Sequence, residues 1–414
     1  MQYLKLENIG KRLFERFPRV KRVLKRVYQW TMYSLERDKI KAEGNIRRVS
    51  PDDGHEYFFG YYDQSPWDGT GRYILSLRVK CAYRAPAPRE PAEIVMFDTK
   101  NDNRMTILAT TRTWNTQQGC LVQWLGPDFT QSVIYNDLVD GALSSVILNV
   151  HTGDKRTLPA PVYAVSPDGV FALTLDFLRL HRLRPGYGYG NLPDTTKGVL
   201  CPKGPCISRI DLVNGQVTPV LRYDDLVGFE HRPEMDGAEH KVNHIMISPS
   251  GARFMVLHRW FKDRCKYTRL VTAACDGTDL YNLNDEVFAS HCCWKGDGYI
   301  LSFLRKNGVD GYYLMRDKTK ECHHLWPELN TDGHCSYSSD LSRVVTDTYP
   351  SRKRVASIYL CDEQTAHRIV RVFSPFRYDN DVRCDLHPRW RRGGKAISFD
   401  STHEGRRAQY IVEV

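Results

Sequence analysis

The chain has 414 residues, of which 41% are hydrophobic and 26% charged. That is room for two or three ordinary domains or one large repeat fold, with a composition that excludes disordered and collagen-like chains. The formal charge of +10 is local: residues 1 to 48 hold 14 Lys or Arg against 5 Asp or Glu, and the remainder is nearly balanced at 45 against 44. No run of 18 apolar residues, uninterrupted signal-peptide core or zinc-finger spacing of the twelve cysteines occurs, so the expectation is a cytoplasmic protein with reduced thiols.

In chain order, residues 1–43 read first as a basic amphipathic helical arm. Leu6, Ile9, Leu13, Phe17, Val20, Leu24 and Val27 recur at three- and four-residue steps, with Lys11, Arg12, Arg16, Arg19, Arg22 and Lys25 between them. The pattern predicts one helix from Leu4 to Leu35, or two broken near Pro18. Such a helix suits the anionic inner face of a membrane, through residues 1–40, or packing on the globular body. A peripheral membrane position is therefore expected beside a plain cytoplasmic one. The balanced charge beyond the arm gives no reason to expect a nucleic-acid partner.

From residue 44 a turn-plus-strand unit repeats seven times: SPWDGTGRYILSL at 65, LGPDFTQSVIYN at 125, SPDGVFALTL at 166, SPSGARFMVL at 248, WKGDGYILSF at 294, SSDLSRVVTD at 338 and WRRGGKAISF at 390. Pro, Asp and Gly meet the needs of tight hairpins, and each turn is followed by about three strand-like runs. Radial repetition of four-stranded sheets is an all-β, seven-bladed β-propeller, expected over residues 44–414. The last repeat is one strand short, so residues 44–51 are expected to close it and protect an open edge. The wide gap after the third turn predicts an insertion over 177–240 between blades three and four, rich in Arg, Tyr and Gly.

Four histidines stand three or four residues ahead of four of the turns: His244, His291, His334 and His387. In a propeller the first strand of each blade lines the channel, and the residues before it and after the second strand share one face. That geometry collects Tyr61, Tyr62, Gln118, Asn136, Arg182, His258, Arg305 and Tyr349 as candidate substrate-binding residues, together with Tyr163, Arg179 and Arg259, and the Arg, Tyr and Gly-rich insertion adds Tyr187 as a ligand rim. A face so rich in His, Tyr and Arg suits an anionic ligand, and carboxylated or sulfated oligo- or polysaccharides are the obvious class. The one-residue offset of His244 and His334 relative to His291 and His387 would turn one pair away unless a bulge or Pro388 corrects it.

The strings QQGCLVQWLGPDFTQSVIYND, RPGYGYG, HKVNHIMISPSGARFMVLHRW, DGHCSYSSDLSRVVTDTYP and RCDLHPRW together resemble a family of seven-bladed propellers related to polysaccharide lyases of the oligogalacturonate and ulvan type. The resemblance spans residues 55 to 414. It implies β-elimination on a uronic-acid glycan, with a divalent metal, manganese or zinc, as cofactor. Carried onto this chain, it makes His291, His334 and His387 with Gln118 the metal cluster. It makes His244 or Tyr163 the catalytic base and Arg259 or Arg179 the catalytic neutraliser of the carboxylate. The basic arm keeps two other readings open. One is a membrane-associated glycosyltransferase or glycan-modifying enzyme of capsule or lipopolysaccharide synthesis, for which Asp379 and Asp381 would be the donor-site carboxylates. The other is a non-enzymatic glycan-binding propeller, so enzyme status is left open at this point.

Overall fold

The computed structural model describes residues 18–36 and 42–414. Beyond the arm the chain forms seven four-stranded antiparallel sheets, the blades of a β-propeller. The first strands of the blades are Glu56–Phe58, Gln123–Trp124, Ala164–Val165, Glu239–Ile247, Ala289–Lys295, Ser336–Tyr337 and Arg389–Trp390. Those of blades three to seven touch one another in sequence around the channel. All seven turns read from the sequence fall between the first and second strands of a blade.

The repeated residues have local tasks. In the SP and SD turns a serine closes the hairpin: the backbone N–H of Phe171 donates to Ser166 Oγ at 3.0 Å, and that of Arg343 to Ser338 Oγ at 3.0 Å. Asp168 and Asp340 accept from those same serine hydroxyls, so each turn is a preformed hydrogen-bonded loop. The tryptophans at the ends of first strands tie blade to blade. The indole N–H of Trp124 reaches Pro66 O, that of Trp294 reaches Met246 O and that of Trp390 reaches Ser336 O, each at 3.0 Å and each on the preceding blade. A ring with an apolar body and one donor is suited to such a position.

A strand from the other end of the body closes the ring. Ile46–Arg48, within the 44–51 stretch, pairs antiparallel with Ala408–Glu413 as Ile46↔Val412, Arg47↔Ile411 and Arg48↔Tyr410, completing the seventh sheet from the other end of the body. The expectation of one insertion over 177–240 is corrected. The two outer strands of blade three, Pro205–Asp211 and Val217–Arg222, lie inside that range. The excursion over 176–204 therefore sits within blade three, and only 223–238 bridges to blade four. The sequence between those strands lacks a repeat turn, which is why the gap read as one segment.

The described part of the arm is a helix, α1 (Pro18–Glu36), with the proline at its first position. Tyr33 stacks on Phe373 at 4.7 Å, and Arg26 pairs with Asp379 at 2.9 Å, docking one face of α1 beside blade six. The helical reading of residues 1–17 lies outside the described residues. No helix among those described is long and apolar enough to cross a membrane.

Candidate functional site

The four histidines converge at one mouth of the channel. His334 is the hub, with its ring centroid 3.9 Å from His291 and 4.2 Å from His387, and His244 stands 5.7 Å from His291. Backbone irregularity removes the one-residue offset. The pairing of blade four shifts register between Asn243 and Met246, with His244 itself at φ +57°, and that of blade five shifts between Ala289 and Cys292, across His291. His387, ahead of Pro388, has φ +45°. Bulges at the channel mouth re-aim these side chains, as bulges beside sites do. Tyr61 and Tyr62 form the facing wall, with ring centroids 5.2 Å from His244 and 5.0 Å from His334 respectively.

Carboxylates hold the rings in place. Asp347 accepts from the backbone N–H groups of His334 and His387, at 2.8 and 3.0 Å, and lies 2.8 Å from His334 Nδ1. Asp332 lies 2.9 Å from His291 Nδ1 and accepts from Ser290 Oγ. Burial lowers the pKa of His334, but Asp347 more than reverses this and raises it overall. Burial, then Arg259 and His291, holds His244 well below the ordinary histidine range, so its imidazole is neutral near pH 7. The Tyr61 hydroxyl lies 2.8 and 2.9 Å from the two ring nitrogens of His244. Tyr163 accepts from the His244 backbone N–H at 3.1 Å and from Gln118 Nε2 at 2.9 Å.

His334, His387 and Asp385 bring three ligand atoms within 4.8 Å of one another, all buried. Nε2 of His334 and of His387 are buried and have no hydrogen-bond partner, the state of a nitrogen kept for a metal. Asp347 behind Nδ1 fixes the His334 ring as carboxylates do behind metal-bound histidines. Arg383 grips Asp385 with both nitrogens, at 2.5 and 2.9 Å, and against the burial that raises the carboxyl's pKa it holds Asp385 below the usual range. The donor set therefore fits a divalent cation.

Beside this cluster opens a cavity of about 210 Å³, lined by His244, His291, Tyr187, Tyr349, Arg259 and Lys241 among others. A larger cavity of about 390 Å³ at the opposite mouth is lined by turn residues such as Pro167 and Pro249 and has no histidine.

Of the sequence candidates, the structure brings together His244, His291, His334 and His387 with Tyr61, Tyr62, Gln118, Tyr163, Tyr187, Arg259 and Tyr349. It places five elsewhere. Arg179 is fully buried in α2 (Phe177–Leu183), donating to the carbonyls of His240, Val199 and Leu200. Arg182 pairs with Asp194 and Glu239. Asn136 clasps Val162 through both N–H and carbonyl and donates to Tyr189. His258 lies in a separate buried chain with His240, at 3.0 Å, and Arg269. Arg305 pairs with Asp310 on its own hairpin, with its side chain 46% exposed. Asp379 and Asp381, the donor-site alternative, lie away from the histidines: Asp379 pairs with Arg354 and with Arg26 of α1, and Asp381 borders another pocket.

Sequence reading missed Asp385, Asp332 and Asp347. The first had a signal: in CDLH, Asp385 stands two residues before His387, the spacing that puts two side chains on one face of an extended segment.

Fold and site together define a seven-bladed propeller with a histidine-rich chamber at one channel mouth. No protein-family model matches the chain, and no curated protein matches it. Among solved structures it is similar to an oligogalacturonate lyase in complex with manganese, at 18% identity over 90% of this chain and 93% of that one, with a TM-score of 0.63. An oligogalacturonate lyase from Vibrio parahaemolyticus is 13% identical over 89% and 93%, with a TM-score of 0.62. The Kuenenia stuttgartiensis hydrazine synthase shares the fold at 8% identity and a TM-score of 0.51, over 86% and 96%. The chain thus has the propeller fold of the oligogalacturonate lyases.

Proposed function

We propose that this protein is a metal-assisted β-elimination lyase acting on a uronic-acid glycan. The observation that carries the reading is one chamber holding a neutral buried His244, the cation of Arg259 and, adjoining them, the unpartnered Nε2 atoms of His334 and His387 beside Asp385. His334, His387 and Asp385, with His291 against them, would hold a divalent ion, manganese or zinc. When bound there, the ion would supply a Lewis acid for the substrate carboxylate. Manganese is present in one oligogalacturonate lyase of the same fold.

In this reading Arg259 pairs with the carboxylate at C5, acidifying the neighbouring C–H. His244 takes that proton, the C–H electron pair becomes the C4=C5 double bond, and the C4–O bond breaks, its oxygen leaving with a proton from the aqueous cavity. Tyr163, the other candidate base, is less suited: burial, then Asp63, pushes its pKa up, and its oxygen already supports the His244 backbone.

The test is incubation with uronate oligosaccharides and manganese, following the ultraviolet absorbance of the unsaturated product. The expected result is turnover that falls by about 10²–10⁴ in His244→Ala. No product from any uronate oligomer would overturn the reading, and nucleotide-sugar consumption instead would favour a transferase.

A second element of the proposal concerns location. The outward side of α1 leaves Val23, Val27, Trp30 and Leu35 between 56% and 65% exposed, within the arm that carries the chain's excess positive charge. That combination fits an anionic membrane surface. Co-sedimentation with vesicles containing anionic lipid, lost in Val27→Asp/Trp30→Asp and absent with neutral vesicles, is the expected result.

A further inference from the structure

The wall of the chamber formed by blade four carries more positive charge than one substrate carboxylate needs. Strand register puts three cations on one face of that sheet. Lys241 pairs with Arg259, Arg259 pairs with Thr268, and Lys266 lies two residues from Thr268 on the same strand, hence on the same side. Arg184, on the loop after α2, completes the wall.

The carboxylates within reach are already engaged. Asp332 serves His291 and Ser290, and Glu239, on the same sheet face as Lys241, binds Arg182 at 2.8 Å. Lys241 is 2% exposed and donates to a single carbonyl, Leu183 O at 3.2 Å. Arg259 is 7% exposed, its Nε is buried without a partner, and its guanidinium reaches only Ala289 O, at 3.4 Å. Other buried guanidinium groups are hydrogen-bonded more fully: Arg389 has Asp400 at 2.8 Å, Arg354 has Asp379 with the carbonyls of Ser374 and Tyr378, and Arg269 donates to the carbonyls of Phe229, Glu230 and Leu226. Buried cations without counter-charge are costly, and they persist where a ligand completes them.

We infer that Lys241, Lys266 and Arg184 form a second oxyanion subsite beside the reacting carboxylate, with the charge to hold a group of up to two negative charges, such as a phosphate or sulfate ester or the acid of a neighbouring sugar. The inference deepens the lyase reading by naming what the substrate carries next to the bond that breaks. Lysines meet such a group as point charges, with less demand on its geometry than an arginine fork makes, which suits a tetrahedral oxyanion. The same wall gives the site a preference by charge, because a singly charged monouronate leaves these three cations unanswered.

The experiment is calorimetric binding of inorganic phosphate and sulfate to chelator-treated protein, which separates this subsite from the metal ligands. Binding at least tenfold tighter than acetate, weakened tenfold or more in Lys241→Met and Lys266→Met, is the expected result. Arms with a saturated diuronate, a sugar phosphate and a monouronate as competitors identify the source: whichever of the first two displaces phosphate carries the second acid. Phosphate that binds no better than acetate, or equally well in both lysine variants, overturns the subsite. Because nothing is turned over, the outcome is independent of whether the enzyme proves to be a lyase. Retained far-ultraviolet circular dichroism in the lysine variants excludes unfolding as the cause of a loss.

Discussion

Asp347 carries two of the four channel histidines. Its carboxylate accepts from both backbones and holds Nδ1 of His334, so Asp347→Asn places an amide NH₂ against groups that themselves donate. A loss of about 1–3 kcal/mol in urea unfolding is expected, with a 10- to 100-fold fall in divalent-metal affinity measured by titration. Lys241 behaves in the opposite way. Burial, then Arg259, holds its pKa well below the ordinary lysine value, so between that depressed value and ~10.4 the unfolded chain binds more protons than the folded one. Stability of the unliganded protein therefore rises with pH across that window. Lys241→Met should raise the melting temperature at pH 7 and lose its advantage near pH 10, a gain in stability at the expense of binding. A melting temperature lower than wild type at pH 7 would show that the lysine is compensated after all. The histidines were legible in the sequence because they recur in register ahead of the turns. Lys241 and Lys266 were not, because their convergence with Arg259 depends on pairing across three strands.

At the scale of elements, the blades are legible for the reason that they are stable: each turn repeats Ser or Pro, Asp and Gly because each hairpin needs the same internal hydrogen bonds. Five residues chosen from the expected top face were placed elsewhere for a common reason. Arg179, Arg182, Asn136, His258 and Arg305 stand near the right strand ends, but polar groups closer to them take their hydrogen bonds. Position along a blade says which face a residue is near, not what it binds on the way. The closing strand gives a sharper test of the architecture. Removing residues 1–41 leaves Ile46–Arg48 paired with Ala408–Glu413, whereas removing 1–50 exposes the backbone of that strand as an open edge. The shorter truncation should melt within about 2 °C of the full chain, and the longer should melt several degrees lower and associate, read by differential scanning calorimetry and light scattering. Equal melting of the two truncations would mean that the three-residue closure contributes nothing.

For the whole molecule, the candidate metal ligands and the closure fall on neighbouring parts of the ring. His334 precedes the first strand of blade six, Asp385 and His387 precede that of blade seven, and the strand from the other end of the chain completes blade seven. An ion held by these three side chains bridges two blades beside the point where the ring is fastened. Binding to the folded state alone at 100 times the dissociation constant adds about 2.7 kcal/mol. For 414 residues at ~2.1 cal/mol/K each, that is an upward shift of ~3 °C. The expected result is that manganese or zinc raises the melting temperature by this amount and that chelator reverses it. Asp385→Asn and His387→Ala should abolish the shift, and Gln118→Ala should reduce it without abolishing it, because Gln118 Nε2 is tied to Tyr163 while its Oε1 is buried without a hydrogen-bond partner. A shift lost in Gln118→Ala and kept in Asp385→Asn would return the ligand set to the one the family resemblance implies. If the bridge acts at the seam, the metal should also slow unfolding less in the truncation lacking residues 1–50 than in the full chain, since in that variant the ring opens beside the bridge whether or not it holds.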